Sequence, residues 1–174
     1  MEEEIISATD PVLKDRLAQL RDRIAHAYQR TRNKSHDLYY SMKESESSFK
    51  LRIQSLLDTG LSNRSFRKEV SIEEEVLQQV PLTIKIEFLY IIQEAITNIL
   101  KHAKASVVDI FIYKEEEGVV LQINDNGKGF DVAAKAKGMG LRSIQQRVLS
   151  MQGNLQIESG KTGTSLIIKV PAAS

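Results

Sequence analysis

Glu94 and Asn98 stand four residues apart in the run Gln93-Glu94-Ala95-Ile96-Thr97-Asn98-Ile99-Leu100-Lys101-His102-Ala103. The apolar residues around them keep a helical period, so the carboxylate and the amide project from one helix face. Magnesium takes hard oxygen ligands, keeps most of its waters and needs few protein groups. The amide oxygen of Asn98 suits it as a metal ligand. Glu94, one turn earlier, is placed to polarise an attacking nucleophile or water as a general base. Lys101 and His102 follow one turn after Asn98 and can meet phosphate oxygens. By itself this spacing is common by chance on exposed helices.

Three glycine-containing segments follow in order. Asp125 ends an apolar run and enters Asn126-Gly127-Lys128-Gly129-Phe130. A carboxylate there can accept a hydrogen bond from an exocyclic amine such as that of adenine, while Gly127 and Gly129 let the backbone approach a ligand. Gly138-Met139-Gly140-Leu141 precedes a helical run, so free N–H groups and the helix dipole would face phosphates. Between them, residues 131–137 are small and basic and read as a mobile lid whose lysines approach the nucleotide. Thr164, beside Gly163, is expected on the pocket floor. Each segment alone has an ordinary explanation: Asp-Asn-Gly favours a tight turn, and Gly160 and Gly163 suit a hairpin. The ordered set is not explained that way. It is what a magnesium-nucleotide site needs.

The elements that must carry these residues can be read from pattern. Asp10-Pro11 caps a helix start, and no glycine or proline intervenes before Met42. Apolar or small residues recur there from Leu13 to Met42 in steps of three and four. A helix of about 33 residues is roughly 50 Å long, too long for its stripe to be covered by its own domain, which implies a partner helix. Residues 43–48 read as a linker and Phe49 to Leu57 as a short helix ending near Gly60. Phe66 to Ile72 reads as a strand. Pro81 opens the helix of Glu94 and Asn98, which ends near His102. Ser106 to Lys114 and Gly118 to Asn124 form a hairpin across an acidic turn. Gly140 to Met151 is helical, and Leu155 to Glu158 pairs with Ser165 to Val170. The expected class is α+β: a two-layer sandwich, a mixed sheet with helices on one face. Residues 1–44 form the long helix and 45–174 the nucleotide-binding domain.

Composition narrows the options. At 174 residues, with 41% hydrophobic and 27% charged side chains, the chain has the make-up of a soluble globular protein. A formal net charge of +1 gives no electrostatic case for nucleic acid or anionic lipid as main partner. Without cysteine there is neither a disulfide framework nor a thiolate metal site, which suits a reducing cytosol. No apolar run approaches the roughly 20 residues of a membrane span, so a membrane would be reached only through a segment outside this chain.

The runs QEAITNILKHAKA, DNGKGF, GMGLRSIQQRV and TGTSLIIKVP resemble the N, G1, G2 and terminal glycine boxes of the ATP-binding domain of bacterial sensor histidine kinases, within the GHKL superfamily. The resemblance spans roughly Phe66 to Pro171, and four boxes in order are highly specific. Gly138 to Val148 most resembles kinases whose response regulators carry a helix-turn-helix output domain. The resemblance implies a GHKL-type sandwich binding Mg-ATP between helices and lid. Asn98 would hold Mg²⁺, Glu94 act as base and Asp125 read adenine. Gly127, Gly129, Gly138, Gly140, Leu141 and Thr164 would shape the pocket, with Lys101 and His102 near the phosphates. It also implies a response regulator receiver domain as partner, a homodimer through the N-terminal helix, and a cytoplasmic location, free or as part of a membrane-bound sensor.

Upstream the sequence departs from that family. Its phosphate acceptor is a histidine followed by aspartate on the first helix of a dimeric hairpin, after a stretch like E-R-x-R-I-A-R-E-L. Here Arg23-Ile24-Ala25 echoes that stretch, but Gln29 stands where the histidine belongs. Ser35-His36-Asp37-Leu38 offers a His-Asp pair without the preceding signature, and too little chain follows for a second hairpin helix. Residues 10–42 are therefore read as the second helix of the hairpin. The acceptor is expected outside this chain, with His36 the alternative candidate. Two other functions fit parts of the pattern: a catalytically degenerate nucleotide-binding module, and an anti-sigma-type serine kinase.

Overall fold

The computed structural model describes residues 47–61, 66–116, 118–132 and 139–171. The chain divides into two units, Met1–Ser41 and Met42–Ser174, and all described residues belong to the second. The expected helix over residues 10–42, His36, Gly138 and lid residues 133–137 lie outside the described residues.

The elements run α1 (Ser47–Gly60), β1 (Arg67–Ile72), α2 (Glu74–Gln79), α3 (Leu82–Asn98), a π-helical turn (Ile99–Ala103), β2 (Val107–Glu115), β3 (Gly118–Asp125), α4 (Met139–Ser150), β4 (Asn154–Gly160) and β5 (Gly163–Pro171). The strands form one sheet in the order β1-β2-β3-β5-β4, with β1 parallel to β2 and the other pairs antiparallel. This is the expected mixed sheet.

Strand alternation decides which side chains meet the helices. Pairing aligns Val70, Ile110, Ile123, Leu166 and Ile157 in one rung across all five strands. The next rung is Ile72, Ile112, Leu121, Ile168 and Leu155, and Ile110, Ile112, Leu121, Ile123, Leu166 and Ile168 are buried. In the other direction the same face ends in Lys68, Val108, Asp125, Thr164 and Ser159. The core face thus turns polar at one end of the sheet, where β3 stops.

Helix α3 is buried over an unusually wide arc: Phe88, Leu89, Ile91, Ile92, Ala95 and Ile96. A surface helix needs only one apolar stripe. This one touches β3 as well as α1 and α4, so it needs more. Helix α1 buries Phe49, Ile53 and Leu57 at every fourth position, followed by Leu61. It is described from Ser47 and so includes the end of the stretch read as linker. Helix α2 was not expected. Its two buried residues, Val76 and Leu77, among glutamates and glutamines are too few to show a period.

One polar contact ties α4 to α3. The Arg147 guanidinium donates to Glu87 Oε2 at 2.7 Å and lies 4.3 Å from the centre of the Tyr90 ring. All three groups are only partly exposed, so stacking and ion pairing together contribute about 1 kcal/mol. Arg147→Ala should lower the melting temperature by about 2–5 °C, and Arg147→Lys should not fully restore it, lacking the planar stack. Thermal unfolding followed by circular dichroism checks this; an unchanged midpoint would make the contact ornamental.

Candidate functional site

The polar end of the sheet, the end of α3 and the start of α4 enclose a cavity of about 590 Å³, within the roughly 300–1,000 Å³ of small-molecule sites. Glu94, Asn98, Lys101, His102, Asp125, Gly129, Gly140, Leu141 and Thr164 all line it. Gly127 does not line it but touches Ala103 and Asp125, which do, and Gly138 is outside the described residues.

Glu94 and Asn98 do share a face of α3, and the first turn of α4 is seated on them. A methyl group added at Gly140 would overlap Glu94 Oε1 and come within 3.2 Å of both Asn98 Oδ1 and Nδ2. A larger residue there would have to displace the end of the Glu94 side chain. The close approach sets a carboxylate against the first turn of a helix, where the dipole favours negative charge.

Beyond Asn98 the helix widens. The Thr97 hydroxyl donates to the Gln93 carbonyl at 2.8 Å, a back-bond that competes with helix bonding. The Ile99 N–H is shared between the carbonyls of Ala95 and Ile96. The π turn that follows ends at Lys104, in the left-handed region at φ 56°. Such turns are rare and concentrate at functional sites. This one carries Lys101 and His102, both exposed, along the cavity wall. The expected helix end near His102 was right in position but gave no sign of the π geometry, which propensity does not encode.

Asp125 occupies the last rung of β3 on the core face, opposite Thr164. The Gly127 N–H donates to Asp125 Oδ1 at 2.7 Å, and the Thr164 hydroxyl also bonds the carboxylate. Burial pushes the Asp125 pKa up, and these two hydrogen bonds pull it back only in part, so it stays raised. Next to Thr164, Ser159 Oγ lies 3.0 Å from Thr164 Oγ1 and accepts the Phe130 N–H at 2.9 Å. With the Thr164 proton directed to the carboxylate, Ser159 donates to Thr164. Sequence reasoning missed Ser159, although the alternation Leu155, Ile157, Ser159 would have put it on the site face. It also missed the apolar wall of Ile99, Ile123 and Leu166, and Met139, which is 90% exposed at the cavity.

A magnesium ion fits this donor set only as a ligand-sharing ion. Among the described residues no cluster of three or more His, Cys, Asp or Glu could form a protein cage. An amide oxygen beside a carboxylate suits a cation that draws its other ligands from phosphate and water.

The family described as "Histidine kinase-, DNA gyrase B-, and HSP90-like ATPase" matches residues 83–174, more than half of the chain and every element that lines the cavity. The chain belongs to that ATPase family. Membership implies a site for ATP, and every residue lining the cavity falls within the matched range. Signal transduction histidine-protein kinase/phosphatase DegS of Brevibacillus brevis is 38% identical over 96 residues, which are 54% of this chain and 25% of DegS. Sensor histidine kinase YdfH of Bacillus subtilis is 46% identical over 87 residues, 47% of this chain and 21% of YdfH. The chain thus spans about a quarter of the length of the curated relatives it matches. The blue-light activated histidine kinase of Erythrobacter litoralis EL346 superposes with a TM-score of 0.66 at 20% identity, over 82% of this chain and 48% of that one, which establishes the shared fold. These matches bear out the resemblance to the ATP-binding domain of sensor histidine kinases. None of them supports the serine-kinase or degenerate-module alternatives. Among the described residues no helix is long and apolar enough to cross a membrane.

Proposed function

We propose that this ATPase-family domain binds Mg-ATP and, in the whole protein, transfers its γ-phosphoryl group to a histidine in a two-component pathway. The observation carrying this reading is the convergence of Glu94, Asn98, Lys101, His102 and Asp125 on one cavity. Asp125 accepts the adenine amine, with Thr164 and the Gly127 N–H holding its carboxylate in place. Ile123 and Leu166 supply the apolar surface for the ring. Lys101 and His102 offset phosphate charge. Asn98 would hold a magnesium ion shared with the phosphates, which supplies further charge neutralisation when bound. Glu94 takes the proton from the attacking imidazole as the new N–P bond forms, the bond from the γ-phosphorus to the β,γ-bridging oxygen breaks, and ADP leaves. Phosphoryl transfer rests mainly on positioning and charge stabilisation, and each of those parts has a residue here.

The remaining parts of the reading concern the whole protein. Residues 1–44 serve as the second helix of a dimerising hairpin, the acceptor histidine lies on a first helix outside this sequence, and a response regulator receiver domain takes the phosphoryl group in the cytoplasm. Weak self-labelling of this chain by γ-labelled ATP is expected. Strong labelling abolished by His36→Gln would place the acceptor at His36 instead.

Calorimetric titration with Mg-ATP tests the site itself. Asp125→Asn should weaken binding about 10–100-fold, because it replaces an acceptor of a charge-assisted hydrogen bond with an amide that also presents donors. The raised pKa adds a pH signature. Affinity should fall on acidification from neutrality, with a midpoint above that of an ordinary aspartate, as Asp125 takes up a proton. For stability the sign is opposite. A carboxyl whose folded pKa is raised adds stability below its unfolded pKa and loses it as pH rises through the folded value. At pH 7 Asp125→Asn should therefore melt no lower than wild type. Undiminished ATP binding by Asp125→Asn would remove Asp125 from the site.

A further inference from the structure

Asn126 follows the adenine-reading carboxylate, yet its side chain points to another element. Asn126 Oδ1 accepts the N–H of Ser106 at 2.8 Å and that of Val107 at 2.9 Å, and Nδ2 donates to Ser106 Oγ at 3.0 Å. Two backbone donors on one side fix which end of the amide is oxygen. Val108 pairs with Asp125, so Val107 and Asn126 form the next rung outward. There the Asn126 N–H still donates to the Val107 carbonyl at 3.3 Å, but the return bond goes to the side chain instead of the Asn126 carbonyl. The side chain completes the ladder in place of the main chain, which is thereby released to turn toward Gly127.

Two residues on, the Lys128 N–H donates to the Ala103 carbonyl at 2.9 Å. Ala103 is the last residue of the π turn that carries Lys101 and His102. The segment 103–107 and the segment 126–128 are therefore joined by five hydrogen bonds, three of them from one side chain. One segment ends the phosphate-facing wall of the cavity; the other begins at the adenine carboxylate. Asn126 is exposed in this turn, while the buried Gly127 beside it packs against Ala103 with no room for a side chain, so the Asn126 bonds and that contact together fix the separation.

We propose that Asn126 is a positioning residue that sets the distance between the adenine end and the phosphate end of the nucleotide site. This rests on the Mg-ATP reading above. Without the clamp, Asp125 still offers its carboxylate to adenine, but base and phosphates are no longer engaged together at full strength. The variant therefore loses the extra affinity that the triphosphate contributes over the bare nucleoside.

NMR titration of the chain with adenosine and with Mg-ATP, in about 0.5 M salt to screen added charge, gives the ratio of the two dissociation constants. Asn126→Ala should reduce the preference for ATP about tenfold, low in the roughly 5–150-fold range of couplings between sites. Asn126→Asp, which keeps the acceptor for both backbone N–H groups and lets the Ser106 hydroxyl donate in turn, should restore the ratio to within about threefold. Ser106→Ala should shift it in the same direction as Asn126→Ala, by less, and serves if Asn126→Ala does not fold. Equal weakening of both ligands, or an unchanged ratio in Asn126→Ala and Ser106→Ala, would overturn the clamp while leaving the site intact. Failure of the wild-type chain to bind either ligand would instead sink the nucleotide reading on which it stands.

Discussion

Glu94→Gln is expected to lower phosphoryl transfer about 10²–10⁴-fold in the whole protein, the range lost with a general base, while Mg-ATP affinity stays within about threefold of wild type. The amide side chain is nearly isosteric with the carboxylate it replaces, so the seat of Gly140 on this side chain is preserved. What the change removes is the proposed proton acceptor. A role in binding would look different: ATP affinity would fall together with the rate. Transfer in single turnover, measured beside calorimetric affinity in the same variant, separates the two. A Glu94→Gln enzyme with undiminished transfer would leave the base unassigned and reduce Glu94 to a structural residue under α4.

The second large effect concerns the fold. Gly163→Val should destabilise the domain by roughly 2–6 kcal/mol, from a strained backbone and forced overpacking. Gly163 has φ 136°, a region that side chains disfavour, and a Cβ there would overlap the Asp125 carbonyl oxygen and lie 3.1 Å from the Asn126 Cα. Domains of this size are stable by about 5–15 kcal/mol, so the variant should lose a large share of its stability. Chemical denaturation gives the difference directly, and a midpoint within error of wild type would show that β5 can start elsewhere. Because the overlap falls on the backbone of Asp125 itself, any folded fraction should also have lost nucleotide affinity.

Much of the site was legible in the sequence because its residues sit on regular periods. Glu94 and Asn98 share a face by the helical repeat. Leu121, Ile123 and Asp125 share one by the strand repeat, and so do Thr164, Leu166 and Ile168. The strand pairs β2–β3 and β4–β5 follow from short Val- and Ile-rich runs broken by glutamates or glycines. What stayed hidden lacks a period or depends on pairing. Helix α2 is one and a half turns long. The π turn at Ile99–Ala103 leaves no compositional mark, because helix propensity does not separate one helical bonding pattern from another. Ser159 falls on the site face by strand alternation, but its bonds to Thr164 and the Phe130 N–H are tertiary facts. Asn126 looked like turn chemistry, as Asp-Asn-Gly usually is, and its partners twenty residues away are a tertiary fact.

The rungs of the sheet have one more implication. Asp125 and Thr164 belong to the same inward-facing series as Leu121, Ile123, Leu166 and Ile168. A slip of one residue between β3 and β5 would turn one strand's share of that series toward solvent. It would expose apolar side chains and separate Asp125 from Thr164 in a single step. Misaligned pairings of β3 with β5 therefore cannot persist as folded but inactive impostors: in this half of the molecule, correct folding and the capacity to recognise a ligand are proofread by the same alignment.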